Sequence, residues 1–312
     1  MDVDCLLIAD DLTGACDAAV QFAVRGLAAS VMLEMDEPPA GARVVAVSTE
    51  SRHLAEQEIP RVIARVAERY GAAVVFKKID SVLRGNPGVE IAAALEAFGC
   101  EAAVATPAFP AMGRTVRAGR LSIGDVDVAA VLRSDAHVAP ECVATASEGV
   151  ISADAASDAD LDCIVGQAMS TGRRVLWAGS AGLAGALARR WGVPVGEAPI
   201  PAKKRVLFCI GSDHPVTLEQ IAALRRGRPD CTVLTPAAFD CMPDVLLLSG
   251  GDTAAAVCRQ AATRRIDLCG EVLPGIPWGM LRGGRFDGVP IVTKSGGFGA
   301  PDALIRIAEF FE

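Results

Sequence analysis

Three features of the sequence predict an α/β fold of two domains, each a mainly parallel sheet flanked by helices. Short β-type runs alternate with longer helical patterns along the chain. The apolar share is high at 51%, yet aromatics are only 4%, so the interior must consist chiefly of Ala, Val, Leu and Ile. That mixture suits buried parallel strands covered by small-residue helices. A proline-rich stretch, "GVPVGEAPIPAKK" at Gly192–Lys204, separates two such alternating halves of the 312-residue chain. The boundary falls near residue 200, giving an N-terminal domain over 1–200 and a C-terminal domain over 201–312.

The first strand is expected over Val3–Ala9, an apolar run that stops at Asp10–Asp11. Helical periodicity then takes over at Gly14–Arg25, with Thr13 as a candidate N-cap. Strands follow at Ser30–Glu34, Arg43–Ser48, Ala73–Lys77, Ala102–Thr106 and Arg174–Ala178. Helices are expected at Ala55–Tyr70, Val89–Phe98 and Ala181–Trp191. In the second half, strands at Arg205–Ile210, Thr232–Leu234, Asp244–Leu248 and Pro290–Thr293 alternate with helices at Val216–Arg226, Thr253–Ala262 and Asp302–Phe311. The acidic, alanine-rich segment Asp125–Asp162 shows no clear pattern.

Composition excludes several function classes. A net charge of −8 argues against a general nucleic-acid surface. No apolar run approaches the roughly 18 residues of a membrane span, and no basic region precedes the first apolar run, so a soluble cytoplasmic chain is expected. The ten cysteines never come as close as C-x-x-C, and the three histidines are not paired. A structural zinc site and a disulfide framework are therefore not expected, and no residue is assigned as a metal ligand.

In open α/β sheets ligands bind beyond the carboxyl ends of strands. The first strand ends in Asp10–Asp11; the third in "STESRH", with Glu50, Ser51 and Arg52. The fourth ends in "KKIDSVLRGN", with Lys77, Lys78, Asp80, Ser81, Arg84 and Asn86, and the fifth in "TPAFPAMGRT", with Thr106 and Arg114. Carboxylates accept hydrogen bonds from hydroxyls, and guanidinium groups grip carboxylates. Such a mixture suits a small polyhydroxy acid. In the second half, three strands run into glycine turns: "GSDHPVT", "SGGDTAAAV" and "KSGGFGAPD". Glycines admit a phosphate close to the backbone, and helix starts offer free N–H groups. Lys294 adds a charge, while Ser249 or Thr253 could reach a phosphate or metal-bound water. "LPGIPWG" at Leu273–Gly279 reads equally as a base or ribose pocket around Trp278 and as a rigid surface turn. A polyhydroxy-acid site in one half and a phosphate site in the other suggest phosphoryl transfer in the cleft between them.

Taken in order, "IADDLTGACDAAVQFA", "VSTESRHL", "KKIDSVLRGNPGVEI", "TPAFPAMGRT", "AGSAGLAGALA", "GSDHPVT", "SGGDTAAAV", "PGIPWG" and "KSGGFGAPD" span nearly the whole chain, and the sequence resembles the four-carbon acid sugar kinase family. The resemblance implies an ATP-dependent kinase that phosphorylates the C4 hydroxyl of threonate, erythronate or 3-oxo-tetronate. Carried over by position, Asp10, Asp11, Arg52, Lys78, Asp80, Arg84 and Arg114 would form the substrate side. Ser212, Ser249, Gly250, Gly251, Asp252, Thr253, Gly275, Lys294, Ser295, Gly296 and Gly297 would form the nucleotide side. Asp10, Asp11 and Asp80 are the candidate bases, with Asp11 placed first because the nearby helix start would keep it ionised. Mg²⁺ is expected as a partner of the phosphates, with no dedicated protein cage. The partners expected are the sugar acid and ATP, with a homodimer allowed for. The chain departs from the family in length, shortened after Arg114 and between the "GSDHPVT" and "SGGDT" loops, with Gly297 where members commonly have Asn and Val82 where they have Thr.

Two other readings compete. A non-catalytic sugar-acid sensor would keep the pocket without transfer. A dinucleotide-dependent oxidoreductase would need G-x-G-x-x-G in the first βα turn; "ADDLTG" instead puts two negative charges where a pyrophosphate would sit.

Overall fold

The computed structural model describes residues 2–146, 149–196, 199, 205–236 and 242–312. Residues 197–198 and 200–204 of the expected linker, and Cys241, lie outside them.

In the first half the strands are β1 (Asp2–Ala9), β2 (Ala29–Met32), β3 (Val44–Ser48), β4 (Gly71–Lys78) and β5 (Ala102–Thr106), then three short ones, β6 (Val116–Arg117), β7 (Arg120–Leu121) and β8 (Val126–Asp127). They are followed by β9 (Ala136–Val138), β10 (Gly149–Ala153) and β11 (Val175–Gly179). Helices α1 (Leu12–Ala23), α2 (Ile59–Arg69), α3 (Pro87–Ala97), α4 (Val128–Leu132), α5 (Asp158–Ser170) and α6 (Ala181–Trp191) connect them. The second half contributes β12 (Val206–Ile210), α7 (Pro215–Gly227), β13 (Thr232–Leu234), β14 (Val245–Ser249) and α8 (Gly251–Gln260). It closes with β15 (Arg265–Leu273), β16 (Ile276–Arg282), β17 (Pro290–Lys294) and α9 (Ala303–Phe310).

The first-half strands β2-β3-β1-β4-β11-β5-β10-β9 are all parallel, with the order broken on both sides of β1. The register aligns their carboxyl ends: Ala9 faces Ser48 and Lys78, while Gly179 faces Lys78 and Thr106. In the second half Ile210, Ser249 and Lys294 are likewise level. Every loop that the polar strand ends suggested therefore leaves one edge of its own sheet.

The two sheets are joined. Antiparallel β15 and β16 extend the second half, and β15 pairs with β2 through Arg265–Met32, Ile266–Val31 and Asp267–Ser30. From β1 to β17 there are five steps across this seam. At a twist of about 20–25° per step they turn the second half by roughly 100–125°, which swings its glycine turns toward the first-half strand ends. Helix α1 packs against α6 and β3 on one side and α8 and β15 on the other. One apolar core accordingly includes Leu7, Phe76 and Leu183 together with Leu246, Ala254 and Ile291. A second cluster around Phe208, Leu247, Trp278 and Phe311 fills the far side of the C-terminal half.

Asp125–Asp162 is more ordered than its pattern suggests. It holds β8, α4, β9 and β10 and the start of α5, whose N-terminus is a capping box between Ser157 and Asp160. "LPGIPWG" is the turn of the β15–β16 hairpin, with Gly275 at φ +72°. Trp278 is 3% exposed and meets Phe310 and Phe311 at ring distances of 6.1 and 6.0 Å, so it is core and does not form a base pocket.

Candidate active site

Where β1 meets α1, Asp11 is the N-cap, not Thr13. Its Oδ1 accepts from Gly14 N at 2.8 Å, and Thr13 Oγ1 donates to Oδ2 at 2.9 Å. Arg52, beyond β3, ties the acids together. Its Nε and Nη2 reach the two oxygens of Asp10 at 2.7 and 3.0 Å, and Nη1 reaches Asp11 Oδ2 at 2.6 Å. Burial works against the Arg52 charge, but Asp11 and Asp10 outweigh it and hold its pKa above the ordinary value. Asp80 Oδ2 accepts from Arg84 Nη2 at 2.6 Å, and its Oδ1 accepts from the Val82 and Arg84 amides. Burial opposes ionisation of Asp80 too, yet Arg84, Arg52 and Lys78 bring its carboxyl down to about 2.

Strand alternation separates the two lysines of β4. Lys77 is fully buried, its Nζ 3.1 Å from Glu90, and Ser51 donates to the same carboxylate, so this pair braces the Arg52 loop from behind. Lys78 runs under the first turn of α1; a β-carbon on Gly14 would lie 3.2 Å from its Nζ, which donates to Ile79 O at 2.9 Å. Arg114 stacks 4.6 Å over the Phe298 ring, and its buried Nε and Nη1 have no hydrogen-bond partner.

The second half brings three crowded glycine turns. Gly250 sits at φ +102° before α8, a conformation that only glycine adopts readily. A β-carbon on Gly211, Gly251 or Gly296 would overlap Thr253 Oγ1, the Asp11 carboxylate or Ser212 Oγ respectively. Lys294 is fully buried behind the third turn, donating to Ser295 O at 3.1 Å and Gly296 O at 3.2 Å. Because a trans peptide opposes its C=O and N–H, holding those carbonyls inward turns the following amides toward the cleft. Burial drags the Lys294 pKa down to about 8. Ser295 Oγ reaches across to Thr13 Oγ1 at 3.4 Å.

These elements enclose a cleft of about 710 Å³. Asp11, Thr13, Arg52 and Arg84 line it from the first half; Ser212, Gly250–Thr253 and Ser295–Gly297 line it from the second. Across the cleft, the Asp11 carboxylate abuts Gly251 at the start of α8. Asp10, Asp80, Lys78 and Arg114 are buried around the Asp11 side. Three expected nucleotide residues do not line the cleft: Lys294, buried behind the third turn, Ser249 and Gly275. Ser249 is fully buried at the end of β14 with an unpaired Oγ, and Gly275 packs against Phe298 at the hairpin turn. Conversely, His53, Gly211 and His214 line it without having been singled out, although all lie inside the quoted motifs. His214 Nδ1 accepts from Val216 N to cap α7, and its Nε2 would be 3.2 Å from a β-carbon on Gly297. His53 faces Asp252 at 3.8 Å across the mouth, with both side chains exposed.

The residues fit a nucleotide's phosphates. Glycine turns that no side chain could occupy, the open first turn of α8 and the Lys294 charge behind Ser295–Gly296 together form an anion cradle. Among the described residues no group of three or more His, Cys, Asp or Glu could hold a metal ion, so Mg²⁺ would be carried largely by the phosphates themselves.

Two family models match the chain. Residues 5–137 and 120–187 match the family model described as a sugar-binding N-terminal domain, and residues 237–304 match a nucleotide-binding C-terminal domain. A D-threonate kinase of Bordetella bronchiseptica is 33% identical over 97% of this chain and 96% of its own. A D-erythronate kinase of Heliobacterium modesticaldum is 25% identical over 98% and 96%. A solved Salmonella typhimurium protein, described as a putative tRNA synthase, covers 99% of this chain and 100% of its own at a TM-score of 0.78; at 19% identity it speaks for the fold alone. No helix among the described residues is long and apolar enough to cross a membrane. With the ordered motifs, both domain models and a relative one-third identical along nearly its full length, the chain belongs to the four-carbon acid sugar kinase family.

Proposed function

We propose that the protein transfers the γ-phosphate of ATP to the C4 hydroxyl of a four-carbon sugar acid, with D-threonate the first candidate and erythronate and 3-oxo-tetronate the alternatives. The observation that carries the reading is the contact of Asp11 with Gly251. A carboxylate suited to hold an acceptor hydroxyl abuts the helix start suited to hold the transferred phosphoryl group.

In this reading residues 1–200 bind the acid and 201–312 the nucleotide. Arg52 clamps Asp10 and orients Asp11, whose carboxylate lines the cleft and accepts the hydroxyl proton. Asp80, held ionised by Arg84 and at about 2, is too weak a base and serves to fix Arg84. Lys78 and Arg114 take the substrate carboxylate, since Arg52 and Arg84 are already engaged by Asp10, Asp11 and Asp80. The amides at the start of α8 and in Ser295–Gly297 spread over the phosphate oxygens, and Mg²⁺ supplies further charge neutralisation when bound with the nucleotide.

The test is ADP release with Mg-ATP against threonate, erythronate and 3-oxo-tetronate enantiomers. Turnover with one acid supports the reading and identifies the substrate. Silence across the panel while ATP still stabilises the protein would replace it with a sensor.

A further inference from the structure

We propose that Asp17 is the proton-balancing residue of the sugar-acid site, taking up a proton from solvent when the substrate carboxylate settles against Lys78 and Arg114. The inference rests on the kinase reading and deepens it.

Asp17 lies on α1 one turn beyond Thr13, is 3% exposed, and its Oδ1 has no hydrogen-bond partner. An unpartnered buried carboxylate oxygen is costly, and one beside unsatisfied cations points to a missing ligand. Arg114 Nε and Nη1 are unsatisfied, and among the described residues Lys78 Nζ donates only to Ile79 O. The charges that act on Asp17 come from four places: Lys78 on β4, Glu271 on β15, Asp11 at the start of its own helix, and Arg114 after β5. The adjacent Cys16 thiol stays neutral, pushed up to about 12 by burial.

The charge balance gives Asp17 its role. Arg52 and Arg84 are ion-paired with Asp10, Asp11 and Asp80, and Glu271 accepts from Gln21 Nε2 and the Gly275 amide. Lys78 and Arg114 have no such carboxylate partner among the described residues, and without substrate Asp17 is the acid whose charge they offset. A bound carboxylate takes these two cations instead and leaves Asp17 a surplus buried anion, which then protonates. Burial already lifts the Asp17 carboxyl to about 7, with Lys78 pulling the other way, so the exchange falls near neutral pH.

Calorimetric titration of the acid that supports turnover, in two buffers of different ionisation heat, tests this. About one proton should be taken up per acid at pH 8 and close to none at pH 5.5, with affinity falling up to about tenfold per pH unit above 7. A neutral four-carbon polyol should bind without uptake. Asp17→Asn should abolish the uptake and flatten the pH dependence of affinity. Binding of the acid to the wild type without uptake, or an unchanged pH dependence in Asp17→Asn, overturns the proposal. Should that variant fail to fold, the wild-type contrast between acid and polyol decides. If no acid binds, the kinase reading falls with it; if an acid drives ADP release with no uptake, this inference alone falls.

Discussion

Replacing Lys294 with methionine separates its two roles, as a buried charge and as the brace of a phosphate loop. Its pKa falls from 10.5 to about 8 through burial, which corresponds to about 3 kcal/mol of cost carried by the charged form. The unfolded chain binds the extra proton between those values, so the cost is complete below pH 8 and fades as pH rises toward 10.5. Lys294→Met removes the cost at pH 7 but leaves Ser295 O without its donor, at about 1–3 kcal/mol, and takes one of two donors from Gly296 O, which keeps Thr217 Oγ1. The two nearly cancel, and the nucleotide-free melting temperature should change little. ATP should bind roughly 30-fold more weakly, the worth of one charge-assisted interaction of about 2 kcal/mol. At an ATP concentration 100 times the wild-type Kd, the wild type gains about 2.7 kcal/mol of stability and the variant only about 0.9 kcal/mol. Thermal unfolding with and without Mg-ATP at pH 7 measures both quantities. A variant that melts far lower without nucleotide yet keeps the full ATP increment would make Lys294 a core strut and refute the loop argument.

Asp11→Asn keeps a cap for α1 but cannot accept the hydroxyl proton, and turnover should fall at least about 100-fold with ATP binding retained; near wild-type turnover would reassign the base. Asp80→Asn should cost about 2 kcal/mol at pH 7 by urea unfolding. That stability is present above about 3.8 and disappears as pH falls through about 2, because the folded carboxyl is the stronger acid. Lys77→Met strands the buried Glu90 carboxylate and should cost about 3–5 kcal/mol, while the double variant Lys77→Met with Glu90→Leu should recover much of it. Equal melting temperatures of the two would show that the pair carries no brace.

Local signals in the sequence located most of this architecture, because buried parallel strands and amphipathic helices write themselves as runs and periods. Ala102–Thr106, Thr232–Leu234 and Ala181–Trp191 have the bounds their patterns suggest. The β15–β16 hairpin was hidden because Pro274 and Pro277 flank its turn and mimic a loop, and α5 because its acidic first turn and mixed faces blur the helical period. At the site, residue type was legible and direction was not. Lys77 and Lys78 look equivalent in sequence, yet one braces a loop and the other lies under α1. Thr13 suits a cap, but Asp11 performs it, which became visible only through the Gly14 amide. Asp17 reads as an ordinary polar residue on a helix; only the packing of β15 and the Arg114 loop around α1 makes it a buried acid.

The seam between Ser30–Met32 and Arg265–Asp267 has a mechanical consequence. Ser30 Oγ donates to Asp267 Oδ1, Arg265 and Arg282 grip the same carboxylate, and α1 bears on both sides of the joint. A swing of one half against the other would have to unzip this strand pair and shear a core that both halves share. The cleft therefore has no door hinged on the body of the molecule. Any opening or closing of the cleft would then fall to the small rim pieces around His53, Gly85 and His214, which line it away from this joint.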